Sequence, residues 1–343
     1  MILKFKRTFF SLFFLSLGLL YSFQAIFWEI GEIAWMTMIV SFVLIPIFDF
    51  LLGKGFSPNL SCFGKFSFLI PRLYFFVHFS VLIFYLSRAQ NYQFIDLPVL
   101  GLAVGTISGA VGITVAHELM HKRSRLDKLL SKAILCSVCY GHFFIEHLRG
   151  HHARVATPYD CATAKRGQTV YSFLIQSIIG SLKHSWKLEK MKLEEKGLPT
   201  LSIKNSFLIF FISSIAFSLA IFIFFGINGL LLFLIQSIWA IILLEITNYI
   251  EHYGLIREFD KDHGYSAVTS KHSWNSNHLL SNWILLHLPW HSDHHKSMSK
   301  PFNTLKPINE APQLPYGYPT MIILSLFPFL FIPIMNKRLD QLD

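Results

Sequence analysis

Runs of about twenty apolar residues constrain this chain more than any other feature. Five are unbroken, at about 9–27, 33–52, 96–116, 206–225 and 229–248. A helix needs about 20 such residues to cross the hydrocarbon core of a bilayer. A sixth run, about 67–87, is interrupted by Pro71 and Arg72 and reads as a span starting near Leu73. Backbone groups in lipid must pair internally, so these runs predict helices, and the two-residue alternation of a barrel strand is absent. Of the 343 residues, 53% are hydrophobic and only 15% charged, against about 25% in a soluble domain. That balance excludes a soluble enzyme, a disordered chain and a secreted disulfide scaffold. The expectation is an all-α membrane protein: one membrane-bound domain, residues 1–343, built as a six-transmembrane-helix bundle.

Charge placement orients the bundle. With the N-terminus inside, the outer loops are about 28–32, 88–95 and 226–228, and of the 30 Lys and Arg residues they hold only Arg88. Fifteen fall in 117–205 and eight in 249–343. Positive residues accumulate on the cytoplasmic side, so both long segments are expected there, and the net charge of +10 needs no nucleic acid to explain it. Lys4-Phe5-Lys6-Arg7 before the first run reads as an uncleaved signal anchor, because the run is too long for a signal peptide and no small-residue cleavage site follows. The apolar stretch from Tyr318 to Met335 contains Pro319, Pro328 and Pro333. It is expected to be interfacial or re-entrant rather than spanning. Cys136 and Cys139 form a CxxC that cannot by itself build a four-thiolate site and are expected as buried small residues; none of the four cysteines, with Cys62 and Cys161, is expected in a disulfide.

The 16 histidines are not scattered: only His78 precedes residue 117. Four groups stand out on the cytoplasmic side. HELMH gives His117 and His121. EHLRGHH gives His147, His151 and His152. NYIEHYGL gives His252. HSDHH gives His291, His294 and His295. Residues four apart share a helical face, so His117 pairs with His121 and His147 with His151. Imidazole suits zinc, copper and iron, and a structural zinc accepts four ligands. Nine histidines therefore fit two metals, and a histidine-rich site with open positions points to iron handling dioxygen. HELMH alone also matches a zinc protease with Glu118 as general base, but that leaves seven histidines unexplained. His142 is a candidate to line the site, and His278 and His287 lie near the last motif. His184, His263 and His272 are expected in solvent, and His78 as a satisfied bundle histidine.

These motifs resemble the integral-membrane alkane 1-monooxygenases, part of the histidine-rich membrane di-iron hydroxylases and desaturases. The residues that carry the resemblance are PIFDFLLG at 46–53, HELMHKR at 117–123, YGHFFIEHLRGHH at 140–152, NYIEHYGL at 248–255, SWNSNH at 273–278 and HSDHH at 291–295. Xylene monooxygenase is a close relative. The resemblance implies two non-haem irons held by His117, His121, His147, His151, His152, His252, His291, His294 and His295. It implies a site at the cytoplasmic end of the bundle, in a bacterial inner membrane. One departure is local: the family usually reads LQRH before the last motif, where this chain has Leu288-Pro289-Trp290-His291.

The implied activity is hydroxylation of the terminal methyl of n-alkanes to 1-alkanols with dioxygen. Glu118, Glu146, Glu251 and Asp293 each adjoin a histidine, and are candidates to orient the ligands through the second ring nitrogen. The alkane is expected to arrive through membrane lipid, along an apolar channel walled by the first four spans and the sixth. Asp49, at the inner end of the second span, is expected to pair with a cytoplasmic basic residue. The chain carries no flavin or nicotinamide fingerprint, so electrons must come from a partner. The family suggests rubredoxin with an NADH-dependent rubredoxin reductase. Lys183, Lys187, Lys190, Lys192 and Lys196 are a candidate meeting surface for an acidic carrier, or simply a solvated or lipid-contacting helix. Xylene-type methyl hydroxylation, fatty-acyl desaturation or hydroxylation, a zinc intramembrane protease and a metal carrier remain open as alternatives. Glu251 within NYIEHYGL favours the alkane branch.

Overall fold

The computed structural model describes residues 30–55 and 68–342. The first expected span, Cys62 and the N-terminal basic residues lie outside the described residues. What is described is predominantly helical. Helix α1 (30–52) contains a π-helical turn at Val40–Leu44. Helix α2 is Leu69–Arg88. Helix α3 (97–120) has a π turn at Ser108–Gly112. Helix α4 is Arg125–Cys136. Helix α5 (143–154) has a π turn at His147–His151. Helix α6 is Val170–Glu194, and helix α7 is Ser206–His252, bent at Gly226. A two-residue hairpin follows, with β1 (Phe259–Asp260) and β2 (Gly264–Tyr265) antiparallel. Four short helices complete the chain: α8 (Leu279–Ile284), α9 (His291–Lys296), α10 (Tyr318–Ser325) and α11 (Pro328–Leu339).

Four helical stretches among the described residues are long and apolar enough to cross a membrane: Ala34–Leu52, Leu69–Asn91, Phe94–Met120 and Ser206–His252. The last is two arms. Gly226 turns the backbone with φ 64°, a left-handed angle that suits glycine, and the freed Phe225 carbonyl accepts a 2.7 Å hydrogen bond from Gln90 Nε2. The break falls in the expected 226–228 loop. Helix α2 starts earlier than the sequence suggested. Pro71 lies in its first turn, where a missing N–H costs nothing. Arg72 points back to α4, forking onto Asp127 through Nε (2.6 Å) and Nη2 (3.0 Å).

The second arm of α7 packs against α3, and glycine spacing explains how closely. Gly101, Gly105 and Gly109 lie four residues apart on one face of α3. A Cβ on Gly105 would sit 2.6 Å from the Gln236 carbonyl oxygen, and one on Gly109 would sit 2.9 Å from Ala240 Cα. Small residues let membrane helices approach to backbone contact.

The segment expected to be interfacial is the helical pair α10 and α11, which packs on the lower end of α7. Tyr249 and Tyr253 lie against Phe331, with ring centroids at 4.9 and 5.2 Å. Tyr318, Met321, Phe331 and Met335 are fully buried. The prolines fall at helix starts, apart from Pro333, and one face of this stretch packs into the helical core.

Candidate metal centre

Nine buried histidines converge where α3, α5, α7 and α9 meet, and they sort into two groups. His117, His121, His147, His152 and His294 form one; His151, His252, His291 and His295 form the other. These are the nine that the sequence motifs singled out. The pairing within α5 differs from the expected one. The π turn bonds residue i to i+5, which brings His147 and His152 together with Nε2 atoms 3.0 Å apart and sends His151 to the other group. Helix α9 divides likewise, with His291 and His295 facing one group and His294 the other.

Distances within each group suit a shared cation. In the first, Nε2 of His147 is 3.1 Å from that of His121, and Nε2 of His294 is 3.2 Å from that of His152. In the second, the Nε2 separations are 3.3 Å (His151–His295), 2.9 Å (His295–His291) and 3.2 Å (His291–His252). Imidazole nitrogens bound at about 2.0–2.1 Å to one ion stand about 2.9 Å apart at right angles and about 3.3 Å apart at the tetrahedral angle. His117 Nε2 is buried and has no hydrogen-bond partner. Burial, reinforced by the neighbouring imidazoles, pushes His147, His152, His291, His294 and His295 well below the usual histidine range. They are held neutral, the form that ligates metals. The residues present therefore fit a pair of metal ions.

The carboxylates are arranged differently from the expectation. Glu118 forms an ion pair with Lys122 and accepts the Phe302 N–H at 3.1 Å. Asp293 pairs with Lys300 and accepts the Lys306 N–H at 2.8 Å. Both turn away from the imidazoles and anchor the 297–306 loop. Glu146 accepts from His184 Nδ1 at 3.0 Å, and Arg154 contacts the other nitrogen of that ring. His184 is thus mostly buried, not solvated. Glu251 does reach the site, on its inner side: one oxygen is 3.3 Å from His291 Nε2 and the other accepts from the Tyr318 hydroxyl at 2.9 Å.

The carboxylate that does hold the second ring nitrogen of a clustered histidine is Asp160, which adjacency could not reveal. It accepts from His151 Nδ1 at 3.0 Å, and Thr163 (2.7 Å) and the Ala162 N–H (3.1 Å) fix it in place. Burial opposes charge on His151, but Asp160 outweighs it and raises this histidine above its usual range. The one signal in the sequence is an acid in the short turn after the HLRGHH motif. Glu245 was also missed. It lies buried in α7, accepting from Tyr140 (2.8 Å), Asn248 (3.1 Å) and Ser177.

The remaining expectations resolve individually. Among the described residues Asp49 forms no ion pair with a Lys or Arg; it accepts the Ser281 N–H at 3.0 Å and the Ser281 hydroxyl, capping α8. His142 lines an apolar groove with Phe207 and Phe210 instead of the metal centre. His278 bonds Ser276 Oγ at 3.0 Å, and His287 Nδ1 donates to the Phe302 carbonyl at 3.1 Å. His272 accepts the Thr269 N–H, half-buried rather than free in solvent. His263 is exposed, and His78 bonds Ser137 at 2.8 Å within the bundle. Trp290 is buried and stacks on His287, with centroids 4.5 Å apart and planes 8° apart.

A narrow apolar cavity of about 140 Å³ ends on these groups, reaching His117, His147, His291 and Glu251. Its walls come from α1, α2, α3 and the second arm of α7, as expected for spans two, three, four and six; the first span lies outside the described residues. Helices α8 and α10 complete it with Ile284, Leu285, Pro319 and Ile322, a contribution no apolar-run reading contained.

Residues 96–325 match the fatty acid desaturase family. The chain is 38% identical over 316 residues to alkane 1-monooxygenase 2 of Pseudomonas aeruginosa, covering 89% of this chain and 83% of that one. It is 38% identical over 316 residues to the alkane 1-monooxygenase of Acinetobacter baylyi, covering 88% and 76%. It is 31% identical over 245 residues to the xylene/toluene monooxygenase hydroxylase component of Pseudomonas putida, covering 71% and 64%. With its motifs, its two histidine groups and these similarities in agreement, the chain belongs to the alkane 1-monooxygenases of the fatty acid desaturase family.

Proposed function

We propose that this protein hydroxylates the terminal methyl of n-alkanes to 1-alkanols, using dioxygen and electrons from a rubredoxin-type carrier that an NADH-dependent reductase recharges. The observation that carries this reading is a mostly apolar cavity whose lining includes histidines of both groups. His117, His121, His147, His152 and His294 would hold one iron, and His151, His252, His291 and His295 the other. Bound iron would supply the activation of dioxygen that no side chain provides.

The chain's own residues do the positioning. Asp160 holds His151 as the Nδ1–H tautomer, so its Nε2 lone pair faces the group. Tyr318 fixes the Glu251 carboxylate beside His291. Ile107, Leu243, Leu285 and Ile322 exclude water and steer a hydrocarbon chain end-on. Mostly apolar walls with no Lys or Arg among their lining residues favour an alkane over a carboxylate-bearing acyl chain. The arrangement fits one catalytic unit of six spans in a bacterial inner membrane, with its N-terminus and metal centre cytoplasmic.

Cells co-expressing the chain with a rubredoxin and its reductase, fed a ladder of n-alkanes plus xylene under labelled dioxygen, test this reading. Labelled 1-alkanols are expected, and none from a His151→Ala variant. Labelled benzylic alcohol alone would move the chain to the xylene branch. One zinc and no iron per purified chain would end the di-iron reading.

A further inference from the structure

Glu245 is a buried carboxyl that nothing above employs. It projects from the second arm of α7 and is 1% exposed. One oxygen accepts from the Tyr140 hydroxyl at 2.8 Å; the other accepts from the Ser177 hydroxyl and from Asn248 Nδ2 at 3.1 Å. Among the described residues no Lys, Arg or His forms an ion pair with it. The ionisable groups that face it are Tyr140, Glu146 on α5 and Cys161, while α6 presents Ser177. A carboxyl buried without a cation resists ionisation. Hydroxyls donate or accept as required, so Tyr140 and Ser177 serve this carboxyl with its proton or without it.

The carboxyl also stands between two spaces. On its inner side Asn248 belongs to the cavity wall, together with Thr247 and Glu251. Glu245, Asn248 and Glu251 follow one another three residues apart along α7, so Glu245 lies about 9 Å along the axis from Glu251. On its outer side only α6 and Cys161 separate it from an open surface depression. Ser177 faces Glu245, while Gln176 and Gly180 beside it line that depression with Cys161.

We propose that Glu245 is the proton relay of the hydroxylation, loading from solvent on the α6 side and unloading into the cavity beside Asn248. The inference rests on the monooxygenase reading above and deepens it by giving the protons a route. Alkane, dioxygen, two electrons and two protons yield alkanol and water. The electrons come from the carrier, and the protons must cross from solvent into a mostly apolar cavity. On release the carboxyl O–H bond breaks and the proton passes to water hydrogen-bonded at Thr247 and Asn248. The carboxylate left behind keeps its three donors until the Tyr140 or Ser177 hydroxyl hands on its own proton and takes another from the solvent side. Asn248 orients the carboxyl and carries no proton itself.

The first test is infrared difference spectroscopy of the purified full chain in nanodiscs, unmodified minus Glu245→Gln. The carbonyl stretch of a protonated carboxylic acid is expected at neutral pH, shifted in heavy water and lost as pH rises. No such band, or one that ignores pH and heavy water, would overturn the proposal. The second test is dithionite-driven alkane hydroxylation. Glu245→Gln is expected to make alkanol about a hundredfold more slowly, the lower end of what a positioned proton donor contributes, with metal content and thermal unfolding unchanged. Its oxygen uptake is expected to end in hydrogen peroxide, and its residual rate to lose the decline towards alkaline pH that the unmodified chain shows. Glu245→Asp is expected to restore much of the rate. An unaltered rate and pH profile in Glu245→Gln would overturn the relay. So would equal losses in the Gln and Asp variants with reduced metal content, which would make Glu245 a structural strut. Absence of alkanol from the unmodified chain would count against the monooxygenase reading and leave the infrared band to judge Glu245.

Discussion

Asp160 and the four acids beside the histidines show how little sequence adjacency says about side-chain direction. Glu118 and Asp293 each follow or precede a group histidine, yet successive residues on a helix point about 100° apart, so they face the 297–306 loop. Asp160 is nine positions from its partner His151 and reaches it because the intervening turn doubles back. Outer partners of metal-bound histidines are worth about 10–100-fold in metal affinity. Asp160→Ala is therefore expected to lower metal affinity by about that factor in a chelator competition, with Asp160→Asn restoring part of it as a neutral acceptor. Glu118→Ala and Asp293→Ala are expected to leave metal content near normal. They should instead speed tryptic cleavage after Lys296, at the edge of a loop now held through the Phe302 and Lys306 amides.

At the scale of elements, helix ends and helix faces were legible in different degrees. The apolar runs predict where α1, α3 and both arms of α7 lie, and the structure agrees. The partners of those helices were not legible. Asp49 reads as a buried acid seeking a base, but it caps another element: the Ser281 amide is the third of α8, one of the donors a helix start leaves unpaired. Losing such an acceptor costs about 1–2 kcal/mol, so Asp49→Ala is expected to lower stability by that amount in detergent unfolding. The α3–α7 contact should be more sensitive. Gly105→Val adds bulk against the Gln236 backbone, and overpacking of this kind costs about 1–3 kcal/mol. Thermal unfolding of Gly105→Val with Gly53→Ala as a comparison, where nothing lies within 4 Å of an added Cβ, separates crowding from the strain of Gly53's positive φ.

For the molecule as a whole, the cavity sets what the centre can act on. Along α3 its lining runs from Thr106 to His117, about 16 Å at 1.5 Å per residue. At the far end Phe42 and Thr106 line it, backed by Trp239, whose indole N–H donates to Thr106 Oγ1 at 2.9 Å and whose ring meets Phe42 edge-on at 6.2 Å. Phe42→Ala is expected to open this end and shift the product ladder towards longer alkanes, read by mass spectrometry of the alcohols. An unchanged ladder would place the length limit elsewhere.

By itself the sequence determined the helical, membrane-embedded character of the chain and the identity of the nine histidines. Both are written in local patterns: apolar runs long enough for a bilayer, and imidazoles clustered where those runs end. Only the tertiary structure decided which histidine joins which group, because a single π turn in α5 shifts the pairing from i+4 to i+5. Only it could bring Asp160 to His151, Asp49 to α8, and α8 and α10 into the cavity wall. Those contacts join elements far apart in the chain, and their energies depend on distance and burial that no local pattern encodes.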